Sequence, residues 1–195
     1  TESDTGSIST ESRRSEKRGA ILIDTGTGQT KLLLCTGDAD SSIRTREISE
    51  VQIADLGVTH MKDLAVRANQ DTDAGKDILK KFCDPMVHGL RSIGDTVEYA
   101  DMNFVAATIG VTAWFRDQEG DAEAMNTARE FMSKVRQTLG AELMRLGVNR
   151  DFRIDELSGL DEAKYEYAAI QYAVAQSNLA EPMVTVGPVG GMMTT

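Results

Sequence analysis

Two short apolar runs flank a turn of small residues, Ala20-Ile-Leu-Ile-Asp24 and Lys31-Leu-Leu-Leu-Cys35 around Thr25-Gly-Thr-Gly-Gln-Thr30, and this pairing constrains the fold more than any other feature. Neither run is long enough for a core helix, and the Gly/Thr-rich segment cannot continue one, so the pair reads as two strands joined by a tight turn. A bend of this kind gathers several backbone N–H groups at one concave point, which suits a phosphate. Asp24 at the strand end is then placed to hold a cation, or the water that a cation orders. The same residues also make an ordinary hairpin, with Gly supplying positive φ and Thr suiting the strands, and both readings stay open here.

The rest of the chain follows a regular order. Residues 43–53 alternate imperfectly and read as an edge strand. The period then changes: Leu79, Phe82, Met86, Leu90 and Ile93 recur at helical spacing, in a helix that Pro85 is expected to kink or divide. Residues 101–109 read as a buried strand. Met125, Ala128, Met132, Val135 and Leu139 mark a second helix, and Phe152, Ile154 and Leu157 a fifth strand. Ser158-Gly-Leu-Asp161 has the form of a capping box. It opens a third helix with Ala163, Tyr167, Ile170 and Val174 on one face, and residues 183–187 begin a further strand. The order βββαβαβα predicts an α/β lobe: a mixed five-stranded sheet with helices on its faces. Residues 1–18 carry almost no apolar side chains and read as a flexible tail.

Composition narrows the function. The 195 residues suit one domain or one lobe, with 41% hydrophobic and only 5% aromatic content giving an aliphatic core. A net charge of -10 argues against nucleic-acid binding and against adsorption to anionic lipid. An anionic substrate would need local donors or a metal to offset that field. Two cysteines are too few for a disulfide framework; Cys35 and Cys83 read as small core residues, with pairing between them left open. His60 and His88 lack ligand-spaced neighbours and read as structural or surface residues. No apolar run reaches the ~18 residues of a membrane span. The chain begins at Thr1, as a processed secretory-pathway or organellar form would, and the compartment stays open.

The order of elements and four segments together resemble the first lobe of the actin/hexokinase/Hsp70-like phosphotransferase fold, a ribonuclease-H-like lobe. Within it the chain is most similar to the apyrases, the nucleoside tri- and diphosphate phosphohydrolases. Asp24-Thr-Gly-Thr-Gly-Gln-Thr-Lys31 resembles the family's first phosphate loop, D-x-G-S-[ST]-x-T-[KR]. Ala107-Thr-Ile-Gly-Val-Thr112 resembles A-T-A-G-[LM]-R, with Thr112 in place of the Arg. Leu157-Ser-Gly-Leu-Asp-Glu-Ala163 resembles I-x-[SG]-G-x-E-E-G. Pro188-Val-Gly-Gly-Met-Met-Thr-Thr195 stands where the second phosphate loop D-x-G-G-A-S-x-Q is expected, with Pro188 for its Asp and Met193 for its Ser. An exopolyphosphatase-like relationship is the related alternative; the segment around Glu162 fits the apyrases better.

The resemblance implies a lobe over residues 19–182 and the start of a second, missing or truncated lobe over 183–195. It implies metal-assisted attack of water on the terminal phosphate of a nucleoside di- or triphosphate. Gly26, Thr27, Gly28, Gln29, Thr30, Lys31, Thr108, Gly190 and Gly191 would contact phosphate, Asp24 would hold Mg2+ or Ca2+ through water, and Glu162 would be the general base. Beside this stand plainer readings: Asp161 and Glu162 complement a helix start, and Thr108 is a strand residue. The substitutions at Thr112, Pro188 and Met193 favour a catalytically degenerate lobe, a structural or interaction subunit whose exposed face a protein partner covers. A module that senses nucleotide without hydrolysing it is the third class.

Overall fold

The computed structural model describes residues 17–37, 43–118, 120–148 and 152–176. Five strands, β1 (Arg18–Thr25), β2 (Gln29–Gly37), β3 (Ile43–Gln52), β4 (Asn103–Val111) and β5 (Phe152–Glu156), form one sheet in the order β3-β2-β1-β4-β5. β2 runs antiparallel to both β1 and β3, while β1, β4 and β5 are parallel. Neighbours joined by hairpins are antiparallel and those joined through helices are parallel, as connection length requires. The strand order and directions are those of a ribonuclease-H-like lobe of the actin type, the α/β architecture expected. The segment 183–187, expected to start a strand, lies outside the described residues, as does most of the expected tail; Arg18 already belongs to β1.

Each expected crossover helix is a pair. α1 (Met61–Asn69) precedes α2 (Asp73–Asp95), and α3 (Ala113–Arg116) precedes α4 (Ala122–Arg145); α5 (Gly159–Gln176) follows β5. Pro85 does not divide α2, which continues for 23 residues across it. The buried stripe Ile78, Phe82, Met86, Leu90 and Ile93 holds the helix on the sheet, and that packing outweighs one missing backbone hydrogen bond. Thr72 caps α2 by accepting from the Gly75 amide at 3.1 Å, and Asp121 caps α4 by accepting from Glu123 and Ala124.

One face of the sheet carries the core. Ile21 and Ile23, Leu32 and Leu34, and Ala107, Ile109 and Val111 alternate with more exposed neighbours and are buried beneath α1, α2 and α4. Phe82 of α2 meets Phe131 of α4 with ring centroids 5.2 Å apart. α2 approaches the sheet so closely at Gly89 that a Cβ there would lie 2.6 Å from Leu32 Cδ2 and 2.9 Å from Ser49 Oγ. β3 is an edge strand, as expected. Its imperfect alternation comes from a bulge: Ser49 pairs with Leu32 and Glu47 with Leu33, leaving Ile48 as the extra residue. Cys35 and Cys83 are both free, and burial pushes the Cys83 thiol up to about 12, as befits an inert core residue.

α5 behaves differently. Its stripe of apolar side chains is exposed rather than packed: Ile170 is 40% accessible, Tyr167 47% and Leu160 67%. The expected single face is present in the sequence, but among the described residues no layer covers it.

Candidate functional site

The opposite face of the sheet turns polar where β1, β4 and β5 end. Asp24, Gly110 and Asp155 are register partners, so two carboxylates stand in one row with a glycine strand between them. Thr108, one pleat back, donates to Asp155 Oδ2 at 2.6 Å. Its hydroxyl hydrogen is therefore directed to a carboxylate rather than left free. Lys31 pairs with Asp24 across the hairpin but turns its ammonium to Glu47 of β3, at 2.9 Å.

The turn between β1 and β2 is tied down on its carbonyl side. Gly26 N–H donates to Gln29 O at 2.9 Å, Ile53 N–H to Gly28 O at 3.1 Å, and Met61 N–H to Thr27 O at 3.3 Å. Neither Gly26 nor Gly28 is among the glycines of positive φ, so the hairpin reading that required left-handed glycine is corrected. What Gly28 provides instead is an uncrowded backbone: a Cβ there would meet nothing within 4 Å. Gln29 Oε1 accepts from Gln52 Nε2 at 3.0 Å. Thr30 faces the other way: its side chain and that of Thr25 are fully buried, and among the described residues neither hydroxyl has a hydrogen-bond partner. Beside the turn lies a polar cavity of about 230 Å3 lined in part by Thr27, His60, Lys62 and Gln118.

Glu162 reaches the same edge from α5. Leu157 N–H donates to Val111 O at 3.1 Å, which brings the chain across β4 before the helix begins. Ser158 Oγ accepts the Asp161 amide at 3.1 Å and donates to Asp161 Oδ2 at 2.7 Å, so the expected helix start forms. Lys164 and Ser158 together hold the Asp161 carboxyl below its usual range, the Ser158 hydrogen bond contributing more. Asp161 is thus the structural acid of the pair. Glu162 instead faces inward, accepting from Arg116 Nη1 at 2.8 Å.

Asp24 and Glu162 feel one another. The Asp24 carboxyl is raised above its usual range, first by loss of water and then by the Glu162 charge, with Lys31 pulling the other way. Asp24 at the end of β1 and Glu162, in the helix that follows β5, thus lie toward the same carboxyl edge of the sheet, with β4 between their strands. Gly190 and Gly191, and with them Pro188 and Met193, lie outside the described residues.

Two participants were not foreseen. Trp114, buried, donates from Nε1 to Thr25 O at 3.1 Å and pins α3 to the end of β1. Arg116 supplies a guanidinium one helical turn beyond Thr112, where the resembled motif has its Arg. No local pattern marked it, because its partners Leu157 and Glu162 lie 41 and 46 residues further on. Among the described residues no group of three or more His, Cys, Asp or Glu side chains is arranged to hold a metal directly.

No family model and no curated protein matches the chain. Solved structures do. The crystal structure of the Aquifex aeolicus member of the Ppx/GppA family is 13% identical, with TM-score 0.38, covering 82% of this chain and 41% of that one. A second structure of the Aquifex aeolicus PPX-GPPA enzyme is also 13% identical, with TM-score 0.42 and coverage of 82% and 42%. The type II variant of the Aquifex aeolicus Ppx/GppA phosphatase gives 13%, TM-score 0.35, and 81% and 41%. The chain spans about two fifths of the length of these structures.

Proposed function

We propose that this lobe belongs to an apyrase-like hydrolase of nucleoside di- and triphosphates, in which water attacks the terminal phosphate with the help of a divalent cation. The observation that carries the reading is that Asp24, at the end of β1, and the helix start bearing Glu162, after β5, lie at one carboxyl edge of the sheet, beside a glycine turn with an open backbone. Phosphoryl transfer needs little covalent chemistry from the protein; it needs a cradle, a cation and a positioned water. The turn from Gly26 to Lys31 would face the phosphate, its backbone rather than the buried Thr30 hydroxyl supplying contacts. Gly190 and Gly191 would complete the cradle.

A cation fits this edge. The ionised form of Asp24 is disfavoured first by loss of water and then by the Glu162 charge, and a nearby positive charge would offset both. With no three-ligand protein cage among the described residues, the ion would keep most of its waters, as Mg2+ does, and Asp24 would hold it through one of them. Such an ion supplies charge neutralisation on phosphate oxygens. Thr108 would act by fixing Asp155 rather than by touching phosphate. Glu162 would orient the attacking water.

Phosphate release from ATP or ADP with Mg2+ or Ca2+ tests the reading. Turnover by the intact protein, falling by about 100-fold or more in Glu162→Gln, is expected. A preparation inert with each nucleotide and cation would overturn it.

A second reading has its own observation. The uncovered apolar stripe of α5 favours a role as an interaction subunit, because a face of this kind needs a covering partner. A protein that stays soluble and monomeric at high concentration would count against it.

A further inference from the structure

We propose that Arg116 is the positioning residue of this site, holding the Glu162 carboxylate and the entry of α5 at the end of β1. The proposal rests on the reading of Glu162 as the group that orients the attacking water.

The guanidinium bonds the entry of α5 at two points. Nη1 donates to Glu162 Oε2 at 2.8 Å and to Leu157 O at 3.2 Å. Between those residues the guanidinium passes Gly159, where an added Cβ would lie in ordinary contact with Cζ and Nε, at 3.9 Å. One arginine thus spans the turn from the end of β5 into the first turn of the helix.

Little else holds that turn. Among the described residues, the other side-chain hydrogen bonds of residues 157–176 are internal to the segment: Ser158 with Asp161, Lys164 with Asp161, and Gln171 with Tyr167. Among the described residues the remaining ties to the sheet are the backbone bond from Leu157 to Val111 and the half-buried Leu157 side chain beside Gly110. Among the described side chains of α5 no apolar one is buried to fix its rotation, so the direction in which Glu162 points depends on its partner.

Arg116 is in turn firmly seated. It closes α3, whose Trp114 and Phe115 are both buried with rings meeting edge to face at 5.1 Å. Trp114 bonds the carbonyl of Thr25, the residue after Asp24. A short path therefore runs from β1 through Trp114 to Arg116 and on to Glu162. It fixes the two acids relative to one another.

Charge makes such a tie necessary. Asp24 and Glu162 are like charges that repel, and Lys31, the cation paired across from Asp24, is engaged by Glu47. Without Arg116 the entry of α5 would be free to swing its carboxylate outward. The pair is about a third exposed on each side, so its contribution to folding is small. Its value lies in geometry, and in a loose phosphoryl transition state geometry is what the water-orienting group supplies.

The test compares Arg116→Ala, Arg116→Lys, Glu162→Gln and the double variant with a control, Arg129→Ala. The control removes a similar pair, Arg129 of α4 with Glu156 at the end of β5, at 2.9 Å, on the α4 side of the sheet rather than the Asp24 side. Nucleotide hydrolysis should fall about 100-fold in kcat in Arg116→Ala with KM nearly unchanged, the scale of a misplaced catalytic group. Arg116→Lys should recover part of the rate, since one donor of the fork remains, and added guanidinium should partly rescue Arg116→Ala. Amide exchange across residues 157–162 should quicken in Arg116→Ala and not in the control. The double variant should be no slower than Glu162→Gln alone. An Arg116→Ala enzyme as fast as the wild type, or faster, beside an inactive Glu162→Gln would overturn this inference and leave the proposed function standing. If Arg116→Ala does not fold, a fully unaltered kcat in Arg116→Lys with no change in exchange over 157–162 would overturn it equally. Full activity in Glu162→Gln would overturn both.

Discussion

The two faces of the sheet are built from the same strands and do opposite work. Ile21, Ile23 and Thr25 of β1 point into a sealed layer under α1, α2 and α4, while Ala20, Leu22 and Asp24 point to a face that is only partly covered. A side-chain period of two makes this division possible, because neighbouring residues serve different surroundings at no cost in backbone geometry. The buried face sets stability. The other face tolerates what a core would not: two carboxylates in one row, an arginine pair about a third exposed and, among the described residues, an uncovered helix. Substitutions on the two faces should therefore separate cleanly.

The sharpest separation is expected at Phe82. Its ring is fully buried against Phe131, and Phe82→Ala should lower the unfolding free energy by about 3–5 kcal/mol in urea denaturation. Leu160→Ala, on the exposed stripe of α5, should change it by no more than about 0.5 kcal/mol. Comparable losses at the two positions would mean that α5 is packed after all, and the contrast between the faces would fail.

Two helical glycines give a finer version of the same contrast. Propensity alone favours alanine over glycine inside a helix by about 1 kcal/mol. At Gly140 of α4 an added Cβ meets nothing within 4 Å, so Gly140→Ala should stabilise by about 0.5–1 kcal/mol. At Gly89 the same methyl would press on Leu32 Cδ2 at 2.6 Å and on Ile48 Cγ2 at 3.1 Å. There the overpacking cost of about 1–3 kcal/mol should win, and Gly89→Ala should melt lower. A stabilised Gly89→Ala protein would show that the contact between α2 and the sheet yields more readily than a close-packed core should.

The same division governs what could be read from sequence. β1 and β2 were legible almost to the residue, because an apolar run bounded by a turn reports burial directly. The core stripes of α2 and α4 were legible for the same reason. Pro85 misled because its local effect is overruled by five buried side chains that span the whole helix. Ile48 blurred the period of β3 because a bulge is defined by the partner strand, not by the strand itself. At the site, Asp24 and Glu162 stood out by motif, and both lie toward the carboxyl edge of the sheet. Arg116 did not, since its importance comes from residues 41 and 46 positions away. Thr108 was visible as a residue, but its partner Asp155 lies 47 positions further on. Side chains that act through distant partners leave no local pattern.

The smallest effect expected is also the one that best ties charge to stability. The Asp24 carboxyl is raised in the folded protein, chiefly by loss of water and next by Glu162, above an ordinary value of 3.8. Between the unfolded and folded pKa values the native state holds the extra proton, so stability falls as pH rises through that window. Above it the wild type carries a constant penalty for keeping Asp24 ionised. Asp24→Asn carries none, and should melt slightly higher than the wild type at neutral pH. That advantage should shrink as pH falls through the folded pKa and vanish below 3.8, where both forms are neutral. Mg2+ provides the cross-check: by binding the native carboxylate it should raise the melting temperature of the wild type and not of Asp24→Asn. A variant that melts lower at neutral pH would mean that Asp24 is stabilised by its surroundings, and that the polar face is tuned for folding as the buried face is.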